Sequence, residues 1–422
     1  MNNLPFKSKI FEVSDNKPIK VDLEYEINRI MSIYNNWGLK KGDLIAIDCE
    51  RKFDNFLHII ASFKIGVIPV LYDYKIPMFK DYFKSINMPH ITDFYKNKVK
   101  KKNKIYSNLP EDTMCIIFTS GSTKFPVGFI KSKQNLQNEA HALSLHIGKL
   151  GKLTSTVPIT HMYGLTFCTI LPLLNNADIH ICDFFFANTL IDYIISNKID
   201  TIVTNPVFIK LCNQLDRNEN LSDTTFVTAT MDLSNEEAKS FMTKFNTNLI
   251  NIYGTTETGI IGIKKNTEEY WTPFSNVNIN LTNNLITVNS AWISNLKVNK
   301  NKVMPVKIPH ITDDYAEITN KGFKLIGRKN SFLKSAGKRI STKIIEEILK
   351  EKIPEIKYIN IVINKSVTLK DEIITLYIVA SKNVDKEIAE LLKENFPNFH
   401  MQYIIEYVHT LIFNSLGKKL YF

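Results

Sequence analysis

A loop rich in glycine and hydroxyl side chains follows an apolar run that ends near residue 118. The stretch FTSGSTKFPVG sets five such residues side by side: Thr119, Ser120, Gly121, Ser122 and Thr123. Hydroxyl and backbone N–H groups in a turn can form a concave site for an anion, and glycine allows close backbone approach. The spacing differs from the G-x-x-x-x-G-K-[ST] phosphate loop. The composition still indicates phosphate, against the simpler alternative of a plain surface turn.

A second cluster, NIYGTTETG, covers residues 251–259 and combines an aromatic ring, three hydroxyls and one acid. The ring of Tyr253 can stack on a nucleobase. The hydroxyls that follow Gly254 can meet a phosphate, and the Glu257 carboxylate is an oxygen ligand of the kind that Mg²⁺ takes. The alternative is a polar turn after a buried strand.

Further charged residues occur later in the chain. Asp313 or Asp314 could accept hydrogen bonds from ribose hydroxyls, as acids do in other nucleotide-binding folds. Arg328 presents a planar fork of donors that suits phosphate or ribose oxygens. A Gly-Lys pair ends in Lys418. Taken singly, each of these residues is equally well a solvent-exposed surface charge.

The segments between these clusters alternate between helical and strand-like patterns of apolar residues. Between residues 53 and 66, Phe56, Ile59 and Phe63 share one face at helical spacing. Strand-like patterns cover residues 43–48, 67–73, 114–118, 177–184, 200–205, 226–230 and 249–254. Strand, helix and strand in succession predict a parallel sheet with helical crossovers.

The pattern changes near Gly327 and Arg328. Helical and strand patterns then cover residues 341–352, 358–364, 373–380, 385–396 and 401–408. These elements predict a small α+β unit of about ninety residues, a plausible domain size. The predicted fold class is therefore α/β, with a large N-terminal domain of mixed and parallel sheets flanked by helices over residues 1–327. A small C-terminal α+β domain over residues 328–422 follows through a hinge.

Composition excludes several classes of protein. The chain has 422 residues, 44% of them hydrophobic and 23% charged, with a net charge of +11 and five cysteines. No CxxC pair is present, so neither a zinc site nor a disulfide framework is expected, and free thiols fit a cytoplasmic location. The N-terminal stretch has no apolar signal segment, and residues 56–72 are too interrupted to span a membrane.

The basic charge alone would suggest a nucleic-acid binder. The lysines are scattered, however, and no helix-turn-helix, zinc or RNP pattern occurs. One dense run, KNKVKKKNK at residues 96–104, predicts either a solvated loop or a surface for an acidic partner.

Taken together and in this order, the clusters resemble the adenylate-forming superfamily, which includes acyl-CoA synthetases, peptide-synthetase adenylation domains and luciferases. The matching motifs are TSGST at 119–123, YGTTE at 253–257, TDD at 312–314, GR at 327–328 and GK at 417–418. Within the superfamily, the chain is most similar to the short ligases of aryl polyene pathways. That likeness rests on length, on the VPITHMYGL stretch at 157–165 and on a lysine after the loop.

The resemblance implies that ATP and Mg²⁺ activate a carboxylic acid as an acyl-adenylate. Lys418 would reach the α-phosphate and the substrate carboxylate, with Thr256 at the α-phosphate and Glu257 on the metal ion. The 119–123 loop would cover the β- and γ-phosphates. His161 would line the acyl pocket near the carboxylate.

The same resemblance implies a nucleotide site. Tyr253 would flank the adenine, with Gly254 and Thr255 beside it, while Asp314 and Arg328 would hold the ribose. The small domain would rotate about a hinge at Asn330 so that a thiol can attack the adenylate.

The chain departs from the superfamily pattern at the phosphate loop. The usual glycine is Lys124 and the usual lysine is Val127, so either Lys124 or Lys131 would supply the missing positive charge, with Lys131 preferred. Elsewhere, the usual residues are replaced by Asp313, Asn330, the turn Ala229-Thr230-Met231 and Ile412. The bulkier side chains in that turn favour a small aromatic or short acyl acid.

The thiol acceptor has two candidates. The phosphopantetheine arm of an acidic acyl carrier protein suits a basic chain slightly better than free coenzyme A. A catalytically decayed nucleotide-binding partner protein is the alternative from a different class. The retention of Lys418, Glu257, Asp314 and Arg328 favours an enzyme.

Overall fold

The computed structural model describes most of the chain. The described residues are 7–73, 76–92, 106, 108–119, 126–184, 186–230, 233–299, 302–329, 332–335, 338–365, 372–396 and 402–409. Several residues singled out by the sequence lie outside this set, namely Ser120, Gly121, Ser122, Thr123, Lys124, Met231, Asn330, Ile412, Lys418 and the lysine run at 96–104.

The first eighteen described strands are β1 Ile10–Ser14, β2 Lys17–Val21, β3 Leu44–Ile47, β4 Ile68–Leu71, β5 His90–Ile91, β6 Thr113–Thr119, β7 Val127–Ser132, β8 Lys152–Ser155, β9 Asp178–Ile181, β10 Thr201–Thr204, β11 Thr225–Ala229, β12 Asn248–Thr255, β13 Gly259–Lys265, β14 Thr272–Pro273, β15 Val277–Thr282, β16 Leu285–Ser290, β17 Leu296–Asn299 and β18 Lys302–Pro305. The others are β19 His310–Thr319, β20 Gly322–Arg328, β21 Phe332–Ser335, β22 Lys338–Ser341, β23 Ile356–Lys365, β24 Glu372–Ala380 and β25 Gln402–Tyr407.

The described helices are α1 Leu23–Asn36, α2 Lys52–Ile65, α3 Pro77–Ser85, α4 Lys133–Ile147, α5 Met162–Leu165, α6 Leu171–Leu174, α7 Ala187–Asn197, α8 Pro206–Asn213, α9 Asn235–Phe245, α10 Thr342–Lys352 and α11 Asp385–Asn395. A π-helical segment, Thr166–Ile170, joins α5 to α6. Every predicted strand and helix is present, with its ends shifted by a few residues, and the α/β fold class is confirmed.

Two compact units divide the described residues. The first lies within Met1–Ile279 and Val288–His310, and the second lies within Asn280–Thr287 and Ile311–Asn414. The second unit thus contains residues that precede the boundary predicted after residue 327. The assignment of 1–327 and 328–422 as functional domains stays a prediction.

The first unit contains a seven-stranded sheet of order β18-β17-β7-β6-β4-β3-β5 among its described residues. The predicted strand–helix–strand block is confirmed, since β3 pairs in parallel with β4, and β4 with β6. Its core is strongly aromatic: the ring of Phe83 lies 4.6 Å from Tyr72 and 5.0 Å from Phe118, centroid to centroid.

A nine-stranded sheet, of order β14-β13-β12-β11-β10-β8-β9-β1-β2 in the described part of the chain, completes the first unit. Strands β9, β8, β10, β11 and β12 run parallel, whereas β13 returns antiparallel to β12. The carboxyl ends of the parallel strands therefore meet at one edge, which is where open α/β sheets bind ligands.

The second unit has its own hydrophobic core. Strands β23, β24 and β25 form one sheet, and a four-stranded sheet of order β15-β16-β19-β20 belongs mostly to this unit. Residues of β24, including Ile374, Leu376 and Ile378, are fully buried against α10 and α11 side chains. This unit contains the small α+β arrangement predicted from the C-terminal sequence.

Two expectations from composition can be checked. No disulfide forms among the five cysteines, all of which lie within the described ranges. Across the residues that the structure describes, we find no helix with the length and apolarity needed to cross a membrane.

We expect Ile374→Ala to destabilise the second unit by about 2–5 kcal/mol, because it removes a side chain that is 0% exposed and leaves a cavity. Ile404→Ala, on the neighbouring strand β25, is the matched control because Ile404 is 52% exposed; it should cost less than about 0.5 kcal/mol. Hydrogen exchange of residues 372–380, followed by mass spectrometry, measures the difference. Equal effects of the two substitutions would contradict this description of the core.

We expect the free energy of unfolding to fall as the pH falls from about 6.5 to 4. Burial lowers the pKa of His58 to about 3 and that of His180 to about 4, from a usual value of 6.5. In that pH range the unfolded state therefore binds more protons than the folded state. The free energy of unfolding of His180→Gln, determined by denaturation across this pH range, should fall less steeply with pH than that of the wild type. An equal dependence on pH would contradict the prediction.

Candidate functional site

The hairpin turn between β12 and β13 carries most of the second sequence cluster. The pairing register shifts between Tyr253 and Gly254, and Thr255 faces Gly259 across the turn. A Cβ atom on Gly254 would collide with the carbonyl oxygen of Gly259. The two backbones therefore approach so closely that only glycine fits at position 254.

Two threonine hydroxyls close this turn. Thr255 Oγ1 and Thr258 Oγ1 lie 2.9 Å apart, and the Thr258 N–H donates to Thr255 Oγ1 at 3.2 Å. Thr258 is fully buried, whereas Thr256 and Glu257 are half-buried. Among the described residues the Glu257 carboxylate makes no hydrogen bond or salt bridge, and its negative charge raises the pKa of Lys131 against the effect of burial.

Lys131 lies beneath the turn on strand β7. Its side chain is 0% exposed, and its ammonium donates to the main-chain carbonyl of Glu257 at 3.3 Å. The N–H of Ser294 donates to the same carbonyl at 3.0 Å. This placement counts against the prediction that Lys131 meets the β- and γ-phosphates, because the ammonium is enclosed and bonded to the protein backbone. Lys124 is the alternative that the sequence left open.

Glu139, on helix α4, reaches the other end of the same turn. Its carboxylate is buried; Oε1 accepts from the Ile260 N–H at 2.9 Å, and Oε2 accepts from Thr166 Oγ1 at 3.4 Å. Glu139 lies outside all of the sequence motifs described above. The available signal was an acid at helical spacing from Leu136 and Leu143, which places it on the apolar face of the helix.

Lys131 and Glu139 are both buried, and each shifts the pKa of the other. Burial lowers the pKa of the Lys131 ammonium, and the negative charge of Glu139 is the strongest of the effects that oppose this shift. Burial likewise raises the pKa of the Glu139 carboxyl, against the positive charge of Lys131 and the Ile260 N–H. The thiol of Cys115, opposite Lys131 in the strand register, has its pKa raised to about 12 by burial.

The aromatic part of the cluster is a pair of rings. The Tyr253 ring lies 5.8 Å from Trp271, centroid to centroid, at an interplanar angle of 55°. The ammonium of Lys264 lies 5.3 Å from the centre of the Trp271 ring. Trp271 was missed from the sequence because it lies on a separate strand region, eighteen positions after Tyr253.

His161 begins the helical stretch that follows β8. Its Nε2 lies 3.6 Å from Oδ2 of Asp73, which is almost fully buried just beyond the end of β4. A Cβ atom on Gly164 would strike the carbonyl of Pro158, so the chain turns tightly into this helix. Tyr163 connects the helix to the nine-stranded sheet. Its hydroxyl shares its proton between Val227 O, at 2.8 Å, and Thr204 O, at 3.1 Å.

The turn after β11 is strained. Thr230 has φ of 80°, a left-handed conformation that a β-branched residue rarely adopts. Backbone strain of this kind is concentrated at functional sites. It marks the turn in which the sequence places residues of the acyl pocket.

The predicted ribose-binding residues meet each other in the second unit. Asp314 on β19 lies opposite Arg328 on β20, and Arg328 Nε donates to Asp314 Oδ1 at 2.8 Å. Asp314 is 6% exposed, whereas the Arg328 side chain is 58% exposed. The carboxylate is thus held in place while the guanidinium keeps most of its surface in solvent.

The oxygen donors of the turn fit a Mg²⁺ ion that binds together with phosphates. Mg²⁺ is usually held by one or two carboxylates plus substrate phosphates, not by a cage of protein ligands. Glu257 supplies one such carboxylate, beside the hydroxyls of Thr255 and Thr256. No cluster of three or more His, Cys, Asp or Glu side chains that could hold a metal ion occurs among the described residues.

We expect Gly259→Ala to destabilise the turn more than Gly38→Ala does. Both glycines have positive φ, 67° and 70°, but a Cβ at Gly259 would lie 2.6 Å from Trp292 Cδ1 and 2.8 Å from Glu139 Oε1. A Cβ at Gly38 would meet nothing within 4 Å. The control should cost about 1–2 kcal/mol for the backbone alone, and the test variant about 1–3 kcal/mol more for overpacking. Urea denaturation followed by tryptophan fluorescence measures both; equal losses would mean that the turn is loosely packed.

Comparison with known proteins gives one family match and one curated relative. A family model for an AMP-binding enzyme matches residues 83–289. The chain is 21% identical over 299 residues to crotonobetaine/carnitine–CoA ligase of Proteus mirabilis (strain HI4320). That match covers 59% of this chain and 58% of the ligase, so the chain spans a little over half the length of this relative.

Similar solved structures cover nearly the whole chain. O-succinylbenzoate coenzyme A synthetase (MenE) from Bacillus subtilis, in complex with ATP and magnesium ion, superposes with a TM-score of 0.79 at 16% identity, over 97% of this chain and 95% of that chain. McyG A-PCP complexed with phenylalanyl-adenylate gives a TM-score of 0.76 at 15% identity, over 99% and 91%. At these identities the likeness concerns the fold. The family match and the curated relative, together with the ordered sequence motifs, identify the chain as similar to the AMP-binding enzymes of the adenylate-forming superfamily.

Proposed function

We propose that the protein is an AMP-forming acid–thiol ligase. It activates a small aromatic or short acyl carboxylic acid with ATP and then transfers the acyl group to a phosphopantetheine thiol of an acyl carrier protein. The alternative acceptor is free coenzyme A. The observation that carries the proposal is the position of the half-buried Glu257 carboxylate, on a tightly closed turn that follows Tyr253 and contains two threonine hydroxyls bonded to each other.

The first half-reaction joins the acid to AMP. A carboxylate oxygen attacks the α-phosphorus of ATP, the bond between that phosphorus and the bridging oxygen of the β-phosphate breaks, and pyrophosphate leaves. Negative charge develops on the α-phosphate and on the departing group, so fixed positive groups must meet it there. Mg²⁺, when bound, neutralises part of the phosphate charge.

The residues of this chain take the roles that the motif order implies. Lys418 contacts the α-phosphate and the substrate carboxylate, Thr256 contacts the α-phosphate, and Glu257 holds the metal ion. Residues 119–123 cover the β- and γ-phosphates, with Lys124 as the nearby cation. His161 lines the acyl pocket and is oriented by Asp73, 3.6 Å away.

The nucleoside is held by two further groups of residues. Tyr253 flanks the adenine, next to Gly254 and Thr255. The ring of Trp271 packs against the Tyr253 ring, with 5.8 Å between the ring centroids. Asp314 accepts from the ribose hydroxyls. Its existing contact with Arg328, at 2.8 Å, orients both side chains before the nucleotide arrives.

The second half-reaction is attack of a thiol on the adenylate. The thiolate sulfur bonds to the acyl carbon, the bond to the phosphate oxygen breaks, and AMP leaves. A small domain over residues 328–422 moves about Asn330 between the two half-reactions. Hinges of this kind absorb a large change of backbone angles at few residues.

Charge favours a carrier protein over free coenzyme A. The chain carries a net charge of +11, and carrier proteins are acidic, so their association is electrostatically favourable. The ligase from Proteus mirabilis, by contrast, is a CoA ligase by name. The reduced cysteines are consistent with a cytoplasmic location.

The turn after β11 favours a small acid. Thr230 holds a left-handed backbone conformation despite its branched side chain, and Ala229 beside it is buried. Side chains at these positions take up volume that glycines would leave to the substrate. A long acyl chain is therefore the poorer fit.

We expect ATP–pyrophosphate exchange with one class of carboxylic acid, and a loss of about 10²–10³-fold in rate for Glu257→Gln, because a group that organises transition-state charge is removed. Lys418→Ala should lose exchange to a similar or greater extent. Glu236→Gln, which changes an exposed carboxylate at the start of α9, is the matched control and should retain the wild-type rate.

Two outcomes would overturn parts of this proposal. No exchange with any acid, from folded protein that binds Mg·ATP, would favour a decayed nucleotide-binding protein. Exchange followed by thioester formation with coenzyme A alone, and none with a phosphopantetheinylated carrier protein, would replace the carrier by coenzyme A.

A further inference from the structure

Two opposite charges lie buried beneath the turn that carries Glu257. Lys131 is 0% exposed and Glu139 is 1% exposed, and they come from different elements, β7 and α4. Taking charged groups out of water is unfavourable, and a pair of apolar side chains in the same place is often as stable or more so. This arrangement therefore needs an explanation beyond core packing.

The two charges bind opposite ends of one short backbone segment. The Lys131 ammonium donates to the carbonyl of Glu257 at 3.3 Å, and the Glu139 carboxylate accepts from the N–H of Ile260 at 2.9 Å. Hydrogen bonds to charged groups are stronger than neutral ones. The segment Glu257–Ile260 is consequently held between a cation at its start and an anion at its end.

Neighbouring groups hold the charges themselves in place. Trp292 is buried with its Nε1–H donating to Ile260 O at 2.9 Å, and its ring lies against Gly259. Asn135, one turn before Glu139 on α4, donates through Nδ2 to Ile293 O at 3.2 Å. The helix that carries Glu139 is thus bonded to the connection between β16 and β17, which also contains Trp292.

Glu139 also contacts the helix that follows His161. Thr166 Oγ1 donates to Glu139 Oε2 at 3.4 Å, and Thr166 is the first residue of the π-helical segment. One carboxylate therefore bridges the turn of Glu257 and the helical stretch that begins beside the acyl pocket.

We propose that Lys131 and Glu139 are positioning residues that fix the Glu257–Ile260 backbone and thereby aim the Glu257 carboxylate at the metal ion. This inference rests on the proposed function for its catalytic meaning. The fixing of the backbone can be measured without any activity. Lys131 acts through the Glu257 carbonyl and does not touch the nucleotide.

The test compares Lys131→Met with Glu139→Gln and with the double variant. The double variant keeps the site neutral, and the glutamine keeps an oxygen that can accept from the Ile260 N–H. Lys244→Met is the matched control, since the Lys244 ammonium also binds main-chain carbonyls, those of Asn213 at 2.9 Å and Leu215, but does so at the end of α8.

Two readouts distinguish positioning from plain stabilisation. We expect hydrogen exchange of residues 255–262 to accelerate by about tenfold or more in the double variant, relative to exchange in β10 and β11. We expect the Mg²⁺ concentration for half-maximal pyrophosphate exchange to rise about tenfold, as for the loss of one charge-assisted hydrogen bond. Lys244→Met should change neither quantity.

Each outcome bears on the inference. Unchanged exchange of residues 255–262 in a folded double variant would overturn the fixing of the backbone. Faster exchange with an unchanged Mg²⁺ midpoint would overturn the link to the metal ion. If the double variant does not fold, the same two measurements are made on Glu139→Gln alone, and the same outcomes apply. If the wild type shows no pyrophosphate exchange, the proposed function fails, while hydrogen exchange still decides whether the charges fix the turn.

Discussion

The main-chain carbonyl of Glu257 and the N–H of Ile260, each bonded to a buried charge, set the geometry on which the rest of the candidate site depends. Lys131 and Glu139 hold these two groups from β7 and α4, so a shift of the hairpin turn would take a buried charged group away from its backbone partner. A buried charged group that loses its hydrogen-bond partner is costly, because it keeps its desolvation penalty. The turn that carries the half-buried Glu257 side chain is thereby bonded to the protein at both of its ends.

The direction of the parallel strands decides which loops share an edge. Strands β8, β10, β11 and β12 run parallel, so the segments that lead to His161, Thr230 and Glu257 all leave the same edge of the nine-stranded sheet. In the seven-stranded sheet, Asp73 lies just beyond β4 and Thr119 is the last residue of β6, at the carboxyl ends of two parallel strands. A dispersed set of motifs becomes a candidate site through this shared polarity.

Much of the fold was predictable because its signals are local. The helix at Lys52–Ile65 and the strands on either side of it follow from apolar periodicity over a few residues. The Gly-rich hairpin turn at 254–259 follows from composition, since glycine and hydroxyl residues favour such turns. The strands from β13 to β22 were not predicted, because they share no common pattern: β13 is almost continuously buried, whereas most residues of β15 are exposed.

The sequence by itself determined the α/β class, the order of the motifs and the nature of their chemistry, because these depend on residue types at short spacing. Only the tertiary structure decided where Lys131 lies, since its burial and its bond to the Glu257 carbonyl depend on how β7 packs beneath the turn. It alone revealed Glu139, Asp73 and Trp271, whose partners are distant along the chain. Contacts between remote residues depend on how the sheets and helices pack, and no local pattern records that packing.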